Sequence, residues 1–569
     1  MLTHALSQGP LIRALGALRL LPFVPRIVTE LAVHGLANAT GARPRPFSLA
    51  SDYTSWVSLT DRTFSGRHPQ ATEPTVVPTE EEVRELFRRP PSGEKVSTDT
   101  SVLFMLFAQW FTDSFLRTER SDWRKNTSTQ EIDFCQIYGL TEAQTRLLRE
   151  GKGGRLKSQQ IRGEEYPPFL FRRTPDGEYR IKSEFTNLHD EEFLTQILLK
   201  GVPDQQKDVF FAVGLEHGNS TVGSTALDVL FLREHNRIAA LLAEEYRQGR
   251  LEDWPPMSDA ELDERLFQTT RNTMIVLLLK LVVEEYIRHI TPFDLPLKLV
   301  PGIAQGRRWN TSNRVAIEFN LLYRWHSLVP EKVMIDEGEF DAKEFLRDNN
   351  QLVLSKGIGW LMDQTSRSRA AKVGLFNTPT FLIDKDPDLG YPGIEERTIA
   401  LMRKARLQSF NAYRRQFKRP PLKSFDALTS DPVVKKRLRD LYDDDIDKVE
   451  WYVGIFAEDY PDNYLFGDLM TTMVGHDAFT QALTNPLLAT DVYTEKTFTG
   501  VGLAVIEETA SLRQILARNT DLPTDAAVSF KYTPRRRGVT AGPREGRRSV
   551  ATGRSQATSA DTRSLSDAR

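Results

Sequence analysis

The chain has 569 residues, of which 40% are hydrophobic and 27% charged, and its formal net charge at pH 7 is −2. This balance is typical of a globular protein and provides no overall basic field for nucleic acid. The single cysteine, Cys135, excludes an intramolecular disulfide and any metal site built from several cysteines. None of the nine histidines has zinc-protease spacing, so metal chemistry would rest on one histidine, as haem permits.

The N-terminal segment is apolar but interrupted by cations and prolines. Residues 11–33, LIRALGALRLLPFVPRIVTELAV, contain Arg13, Arg19 and Arg26. No run of 18 apolar residues predicts a transmembrane helix, and the internal charges argue against a signal peptide. Two interpretations stay open: helices lying at a membrane interface, or a helical arm packed on the main domain.

The body of the chain is predicted to be helical. Residues 78–89, PTEEEVRELFRR, begin with a threonine cap followed by acidic residues in the first turn. Residues 225–246 have apolar side chains at helical spacing, and residues 266–290 are apolar almost all round in the middle. Convincing alternating strands are scarce, so we expect a mainly α fold with few or no strands.

The C-terminal segment has a different composition. From about residue 521 onwards the chain is rich in arginine, serine, threonine and glycine, with almost nothing to bury. Such a composition predicts disorder. Its basic clusters could contact anionic lipid or nucleic acid, but we expect a solvated tail and no nucleic-acid partner.

One segment carries residues suited to redox chemistry. Within residues 313–330, NRVAIEFNLLYRWHSLVP, Tyr323 and His326 would share one face if the segment is helical. A neutral imidazole is a standard ligand of haem iron, and a neighbouring tyrosine can lose an electron to an oxidised haem. By themselves, a tyrosine and a histidine on a buried face are more often ordinary core residues.

The segment also resembles the Y-x-W-H motif of the animal cyclooxygenases. Further blocks recur in that family's order: DYTSWVSLTDRTFSGR (52–67), IDFCQIYGLTEAQTRLLREGKGGRLK (132–157), FLREHNRIAALL (231–242), LFQTTR (266–271), SFNAYRRQF (409–417) and LFGDLM (465–470). The chain is identified as a cyclooxygenase-like member of the animal haem peroxidase superfamily. It resembles the short microbial forms, which lack a growth-factor-like module.

The resemblance implies an animal-type haem peroxidase fold with heme b between helices. It divides the chain into membrane-binding amphipathic helices (1–45), a catalytic domain (46–520) and the disordered tail (521–569). It also favours the interfacial interpretation of the N-terminal segment. We therefore expect a peripheral membrane protein in an intracellular location.

The resemblance assigns roles to individual residues. His326 is the iron ligand, Tyr323 the radical residue, Gln109 the distal glutamine, and Tyr452 a residue that tunes the proximal histidine by a hydrogen bond. The residues expected along a lipid channel are Tyr286, Ile287, Ile290, Thr291, Phe293, Leu322, Trp325, Phe466, Gly475, Phe479 and Thr480.

Three positions depart from the family pattern. Asp113 replaces the distal histidine; this substitution either weakens peroxidase chemistry, the outcome we favour, or supplies a carboxylate acid/base if burial raises its pKa. Phe293 replaces the tyrosine that binds the lipid carboxylate, and His34 is the best candidate for the missing cation. Arg324 replaces a histidine within the motif.

The predicted activity is haem-dependent insertion of O2 into an unsaturated fatty acid, started by a hydroperoxide activator and carried by a Tyr323 radical. The product would be a fatty-acid hydroperoxide or an endoperoxide. Two alternatives stay open: a haem peroxidase acting on small reductants, and a non-enzymatic haem- or lipid-binding membrane protein. A homodimer is also left open.

Overall fold

The computed structural model describes residues 23–43, 45–73, 77–200, 202–291, 295–336, 338–347, 349–385, 392–462 and 464–535. Internal contacts divide the chain into two units, Met1–Thr533 and Pro534–Arg569. Only residues 534–535 of the second unit are described, so the architecture below is that of the first.

Helices dominate the described residues, as the sequence predicts. The first half contains α1 (Val24–Val33), α2 (Trp56–Thr60), α3 (Glu80–Glu85), α4 (Val102–Thr112), α5 (Cys135–Tyr138), α6 (Glu142–Leu148), α7 (Glu191–Phe193), α8 (Asp204–Lys207), α9 (Val222–Arg247), α10 (Asp259–Leu281) and α11 (Ile287–Ile290). Turns of π-helix span His34–Asn38, Leu194–Leu198 and Val282–Tyr286, and a 3-10 turn spans Ser183–Phe185.

The second half continues in the same manner. It contains α12 (Ile317–Leu322), α13 (Ala342–Leu346), α14 (Asn350–Lys356), α15 (Ile358–Ser366), α16 (Thr380–Ile383), α17 (Ile394–Lys404), α18 (Phe410–Gln416), α19 (Phe425–Leu428), α20 (Pro432–Leu441), α21 (Trp451–Ala457), α22 (Asp468–Leu483), α23 (Glu495–Glu508) and α24 (Leu512–Asn519). Further 3-10 turns span His326–Leu328, Ile446–Lys448 and Pro486–Leu488.

Strands are short and occur only in antiparallel pairs within the described residues. They are β1 (Phe47–Ser48), β2 (Gly66–Arg67), β3 (Val96–Ser101), β4 (Gln159–Ile161), β5 (Glu164–Tyr166), β6 (Phe171–Arg173), β7 (Tyr179–Ile181), β8 (Lys332–Ile335), β9 (Gly338–Asp341) and β10 (Arg369–Ala371). The pairs are β1–β2, β3–β10, β4–β5, β6–β7 and β8–β9. The mainly α prediction is confirmed, with few strands rather than none.

Two long helices form the centre of the core. Helix α9 begins at the Thr221 cap, and α10 begins at a capping box in which Ser258 and Glu261 bond each other's backbone N–H. The two helices pack together; α4 packs on α9 and α23 packs on α10. The stretch Asp259–Ile290 is long and apolar enough to cross a membrane, but 83% of its most apolar window is buried within the protein. Its composition therefore reflects a core position.

The N-terminal arm is packed along one side only. On α1, Val24, Val28 and Val33 are buried, and the Lys298 N–H donates to Thr29 Oγ1 (2.8 Å). The opposite side exposes a row of large apolar side chains, Phe23, Ile27 and Leu31. Residues 1–22, which include Arg13 and Arg19, lie outside the described residues.

The predicted boundary of the tail at residue 521 is too early. The side chains of Val528 and Phe530 are buried, the Ser101 N–H donates to the Phe530 carbonyl (2.9 Å), and Tyr532 N–H donates to the Asp99 carbonyl (2.8 Å). These backbone pairings extend β3 and hold residues up to 533 on the main unit. Residues 536–569 lie outside the described residues, so the disorder prediction for them stays a prediction.

A buried ion pair connects β2 to α22. The His68 ring nitrogen Nε2 contacts both Asp477 carboxylate oxygens, at 2.9 and 3.0 Å, and the His68 backbone N–H donates to Glu318 Oε1 (2.8 Å). Burial alone would lower the pKa of His68, but the charges of Asp477 and Glu318 raise it to about 9. The adjacent His476 has a pKa lowered by burial to about 4 and stays neutral at pH 7.

Because the folded-state pKa of His68 lies above its ordinary value of 6.5, the pair stabilises the fold fully below pH 6.5 and loses this contribution as pH rises towards 9. We expect a loss of up to about 3 kcal/mol of unfolding free energy across that window. Denaturant titrations at pH 6.5 and 9 measure it. Asp477→Asn should flatten the pH dependence, whereas an equal slope in both proteins would contradict the assignment to His68.

Candidate active site

A cavity of about 480 Å³ brings together the residues with predicted redox roles. Gln109, Asp113, Tyr323, Trp325 and His326 all line it. The first two come from the end of α4, where the Asp113 N–H closes the last helical turn on the Gln109 carbonyl (3.1 Å). The predicted catalytic set is therefore assembled around one space.

The Tyr323–His326 segment is not a continuous helix, so the condition under which the two residues would share a helical face is not met. Helix α12 ends at Leu322, Tyr323 caps it, and Trp325 adopts a non-helical backbone (φ −84°, ψ 52°) before the 3-10 turn that starts at His326. Tyr323 and His326 both line the cavity because the chain turns between them, and not because they lie one helical turn apart.

His326 is bonded to a carboxylate that the sequence did not reveal. Its Nδ1 lies 3.0 Å from Glu395 Oε1, and Glu395 is buried at the start of α17. Since a carboxylate only accepts hydrogen bonds, Nδ1 carries the proton in this contact. The other ring nitrogen, Nε2, has no hydrogen bond to any described residue and is left with a lone pair. His326 is therefore prepared to bind a metal ion in the cavity.

Tyr452 acts one step further away than predicted. Its hydroxyl donates to Glu395 Oε2 (3.0 Å) and to the Arg324 carbonyl (3.2 Å), and makes no direct hydrogen bond to His326. Tyr452 is therefore linked to His326 through Glu395, which bonds both side chains, and its tuning of the histidine stays a prediction.

Arg324 ties the motif to the neighbouring helices. Its guanidinium donates to Thr398 Oγ1 on α17 (2.8 Å) and to Asn320 Oδ1 on α12 (3.1 Å). These contacts, together with the hydrogen bond from the Tyr452 hydroxyl to the Arg324 carbonyl, hold the backbone between Tyr323 and His326 in place.

Asp113 has the raised pKa that acid/base chemistry requires. Burial raises the pKa of its carboxyl to about 7, with Arg117 opposing the rise and Glu216 adding to it. A second pocket of about 640 Å³ is lined by Asp113, Arg117, Glu216 and His217. Asp113 thus borders both spaces and can exchange a proton near neutral pH.

The Tyr323 side chain is surrounded by aromatic rings. It stacks on Trp325 (centroids 4.5 Å apart) and meets Phe319 edge-on (4.9 Å). Its buried hydroxyl has no hydrogen-bond partner among the described residues. Burial raises the pKa of Tyr323, the Tyr286 hydroxyl opposes the rise, and the Asp477 charge adds to it. At pH 7 the side chain is therefore a neutral phenol.

The predicted channel residues lie on elements that pack on one another and on the helix before Tyr323. Helix α22 packs against α12, α11 and the π-turn Val282–Tyr286. Phe466 packs on Trp325 with centroids 4.5 Å apart. Buried members of the set are Tyr286, Ile287, Ile290, Leu322, Trp325, Phe466, Gly475 and Phe479.

The other expected members of the channel have different outcomes. Thr480 donates to the His476 carbonyl of its own helix (2.8 Å), and Thr291 donates to the Arg288 carbonyl (2.8 Å). Phe293 lies outside the described residues. His34, the candidate for the lipid carboxylate, is exposed on the arm. A residue absent from the prediction, Leu36, fills the space beside Gly475, where an added Cβ would meet its side chain at 2.7 Å.

Comparison with known proteins defines the family. A model of the animal haem peroxidase family matches residues 113–530. The chain belongs to the animal haem peroxidase family. Prostaglandin G/H synthase 1 of Rattus norvegicus is 31% identical over 529 residues, covering 90% of this chain and 79% of the rat protein. Prostaglandin G/H synthase 2 of Equus caballus is 31% identical over 424 residues, covering 74% and 63%.

Solved structures confirm the fold of this haem peroxidase family member. Fatty acid alpha-dioxygenase of Arabidopsis thaliana superposes with a TM-score of 0.63 at 16% identity, over 94% of each chain. Peroxidase A of Dictyostelium discoideum gives 0.61 at 17% identity, over 87% of this chain and 96% of its own. The expected peroxidase fold, haem cofactor and oxidoreductase class are confirmed. The free Nε2 of His326 in a cavity also lined by Gln109 and Asp113 fits haem.

If His326 holds the iron, His326→Ala should abolish haem binding or turnover, because no second imidazole lines the described part of the cavity. Absorbance in the Soret region after haem loading checks this. His217→Ala, in the neighbouring pocket, serves as the matched control and should keep the wild-type spectrum. An unchanged spectrum and activity in His326→Ala would show that the iron is held elsewhere.

Proposed function

We propose that the chain is a haem-dependent fatty-acid dioxygenase in which His326 holds the iron and Tyr323 attacks the lipid. One observation carries this proposal. Tyr323 lines the same cavity as His326, its hydroxyl is buried without a hydrogen bond to a described residue, and its ring stacks on Trp325, one of the predicted channel residues. The names of the relatives, prostaglandin synthases and fatty acid alpha-dioxygenases, support a lipid substrate.

Haem, when bound, supplies a one-electron oxidant at the expense of a hydroperoxide. Tyr323 then loses an electron and its phenolic proton, and its oxygen takes a hydrogen atom from an activated carbon of the fatty acid. O2 adds to the carbon radical. The resulting peroxyl radical takes a hydrogen atom back from Tyr323, which gives a fatty-acid hydroperoxide and restores the tyrosyl radical.

The buried surroundings of Tyr323 suit this role. A neutral phenol retains the hydrogen that the peroxyl radical must retrieve, and the raised pKa of Tyr323 keeps the phenol neutral. Stacking on Trp325 and the contact with Phe319 restrict the ring to one orientation. The nearest polar group is the Tyr286 hydroxyl, which acts on Tyr323 without forming a hydrogen bond of normal length, so no strong bond holds the Tyr323 oxygen away from a carbon atom.

A second candidate function is peroxidase activity towards small reductants. The observation that favours it is the pocket of about 640 Å³ that shares Asp113 with the cavity. A carboxyl with a pKa of about 7 can take a proton from a hydroperoxide and return it. This argument supports the acid/base interpretation of Asp113 over a loss of peroxide chemistry. In the mechanism above, that activity starts the oxygenase.

Tyr323→Phe separates the two functions. The change keeps the ring and its stacking but removes the oxygen that abstracts hydrogen, so haem binding and peroxidase turnover should survive. Oxygen uptake with linoleate or arachidonate should fall to background in an oxygen electrode. Persistent oxygen uptake by Tyr323→Phe would eliminate the tyrosyl mechanism.

Asp113→His tests the step in which a hydroperoxide starts oxygen uptake. With a pKa of about 7, Asp113 is only partly deprotonated at pH 7, whereas an imidazole of ordinary pKa is mostly the free base, so this variant should need less added hydroperoxide to start oxygen uptake. The double variant should still fail to oxygenate lipid, because activation and hydrogen abstraction are separate steps. Recovery of oxygen uptake in the double variant would place Tyr323 outside the reaction.

We propose further that α1 attaches the protein to a membrane surface through Phe23, Ile27 and Leu31. These residues are 58%, 45% and 36% exposed and recur at a spacing of four, so they form one apolar row on the side of α1 that faces away from the body. Large apolar groups on a short surface helix insert at the headgroup boundary of a bilayer.

Ile27→Asp combined with Leu31→Asp should reduce binding to anionic liposomes in a sedimentation assay while leaving the Soret spectrum unchanged. Val433→Asp is the matched control, since Val433 is 64% exposed on α20. Equal binding by both variants, or no binding of the parent protein at low salt, would contradict the membrane proposal.

A further inference from the structure

The buried Glu395 carboxylate accepts hydrogen bonds from three side chains, one of which is the predicted iron ligand His326. Three donors converge on it: His326 Nδ1 and Thr378 Oγ1 reach Oε1, each at 3.0 Å, and the Tyr452 hydroxyl reaches Oε2 at 3.0 Å. Glu395 itself is 1% exposed. Three donors on two oxygens suit a carboxylate, which can only accept.

The arrangement is not that of an ordinary buried ion pair. A carboxylate in the interior is costly unless it is paired and hydrogen-bonded, and arginine or lysine usually provides the pairing. Among the described residues, His326 is the only basic side chain within 4.0 Å of the Glu395 carboxylate. The Arg324 guanidinium interacts with the Glu395 charge from beyond hydrogen-bond distance, so the only direct bond from a basic side chain is that of His326 Nδ1, on the ring nitrogen opposite the one available to a metal.

The partners of Glu395 are themselves fixed. The Thr378 N–H donates to the Phe87 carbonyl (2.8 Å) and its carbonyl accepts from the Arg89 N–H (2.9 Å). The Tyr452 ring stacks on Phe87 with centroids 5.3 Å apart. One segment of the body thus holds both hydroxyl donors, which leaves the carboxylate little freedom to move away from His326.

We propose that Glu395 is a positioning residue that sets the electron donation of His326 to the haem iron and thereby keeps its reduction potential low. The inference rests on the proposal that His326 holds the iron. A carboxylate that accepts the Nδ1–H bond orients the ring and raises its basicity as a ligand. A more basic ligand stabilises the ferric state over the ferrous state and assists cleavage of a bound hydroperoxide.

Tyr452 and Thr378 moderate this effect. Each hydroxyl that donates to Glu395 withdraws part of the negative charge that would otherwise act on the Nδ1–H bond. Removing such a donor should strengthen the bond to His326, whereas removing the charge of Glu395 should weaken it. The two kinds of change therefore shift the reduction potential in opposite directions.

The test is a spectroelectrochemical titration of the haem-loaded protein. Glu395→Gln keeps the size of the side chain but removes its charge, so the ferric/ferrous midpoint potential should rise while the Soret band is retained. The rate of peroxide-driven oxidation should fall about 10- to 100-fold, the usual effect of removing such a partner. Glu396→Gln is the matched control, because the neighbouring Glu396 bonds Arg84 (3.1 Å) and should leave the potential unchanged.

Tyr452→Phe should shift the ferric/ferrous midpoint potential in the opposite direction, and it keeps the inference testable if Glu395→Gln fails to fold. The midpoint potential of haem-loaded Tyr452→Phe should fall, a result that loss of packing alone would not produce. An unchanged or raised potential in Tyr452→Phe, or an unchanged potential in haem-loaded Glu395→Gln, overturns the role of Glu395. If His326→Ala keeps its haem spectrum, the proposed ligation fails instead, so the two failures are distinguishable.

Discussion

The desolvation of ionisable side chains is the constraint on which the interior of this protein depends. The helical body encloses carboxyl groups at Asp113, which lines the cavity, and at Glu395 and Asp477, which are buried elsewhere, and each is compensated in a different way. Asp477 is paired with a cationic imidazole, and Glu395 accepts three hydrogen bonds. Asp113 responds to burial with a pKa of about 7.

Asp113 and Glu395 have different surroundings, one bordering two pockets and the other enclosed by hydrogen-bond donors. Asp113 shares its other pocket with Arg117, Glu216 and His217, which connects it to exchangeable protons. Glu395 is enclosed by Thr378 and Tyr452 and touches no pocket that includes Asp113. Under the proposed ligation, a proton donor at Asp113 and electron donation through His326 would act on the same bond of a hydroperoxide from opposite sides.

Sequence patterns were sufficient for the scaffold and for naming residues that the structure brings together at one cavity. The long helices α9 and α10 were visible because their apolar side chains recur at helical spacing, and Tyr323, His326 and Gln109 were visible because they stand in motifs. Glu395 could not be found from the sequence, since it is far from His326 along the chain. An acidic residue in the first turn of a helix is ordinarily explained by its favourable interaction with the helix dipole. The helix break between Tyr323 and His326 could not be predicted from the sequence either, because it depends on tertiary bonds such as that from the Tyr452 hydroxyl to the Arg324 carbonyl.

Residues 521–533 were assigned to the tail because their composition is polar, although β3 supplies backbone partners that no composition can reveal.

Gly475 has a consequence for how this protein can change during evolution. The Leu36 side chain occupies the space that any side chain at position 475 would need, at 2.7 Å from the added Cβ. The arm and α22 are therefore coupled at this point: a side chain at 475 displaces the end of the Leu36 side chain, by rotation of the leucine or by a smaller residue at 36. Exchange of the arm between this protein and a relative is easiest where the two positions match in combined volume.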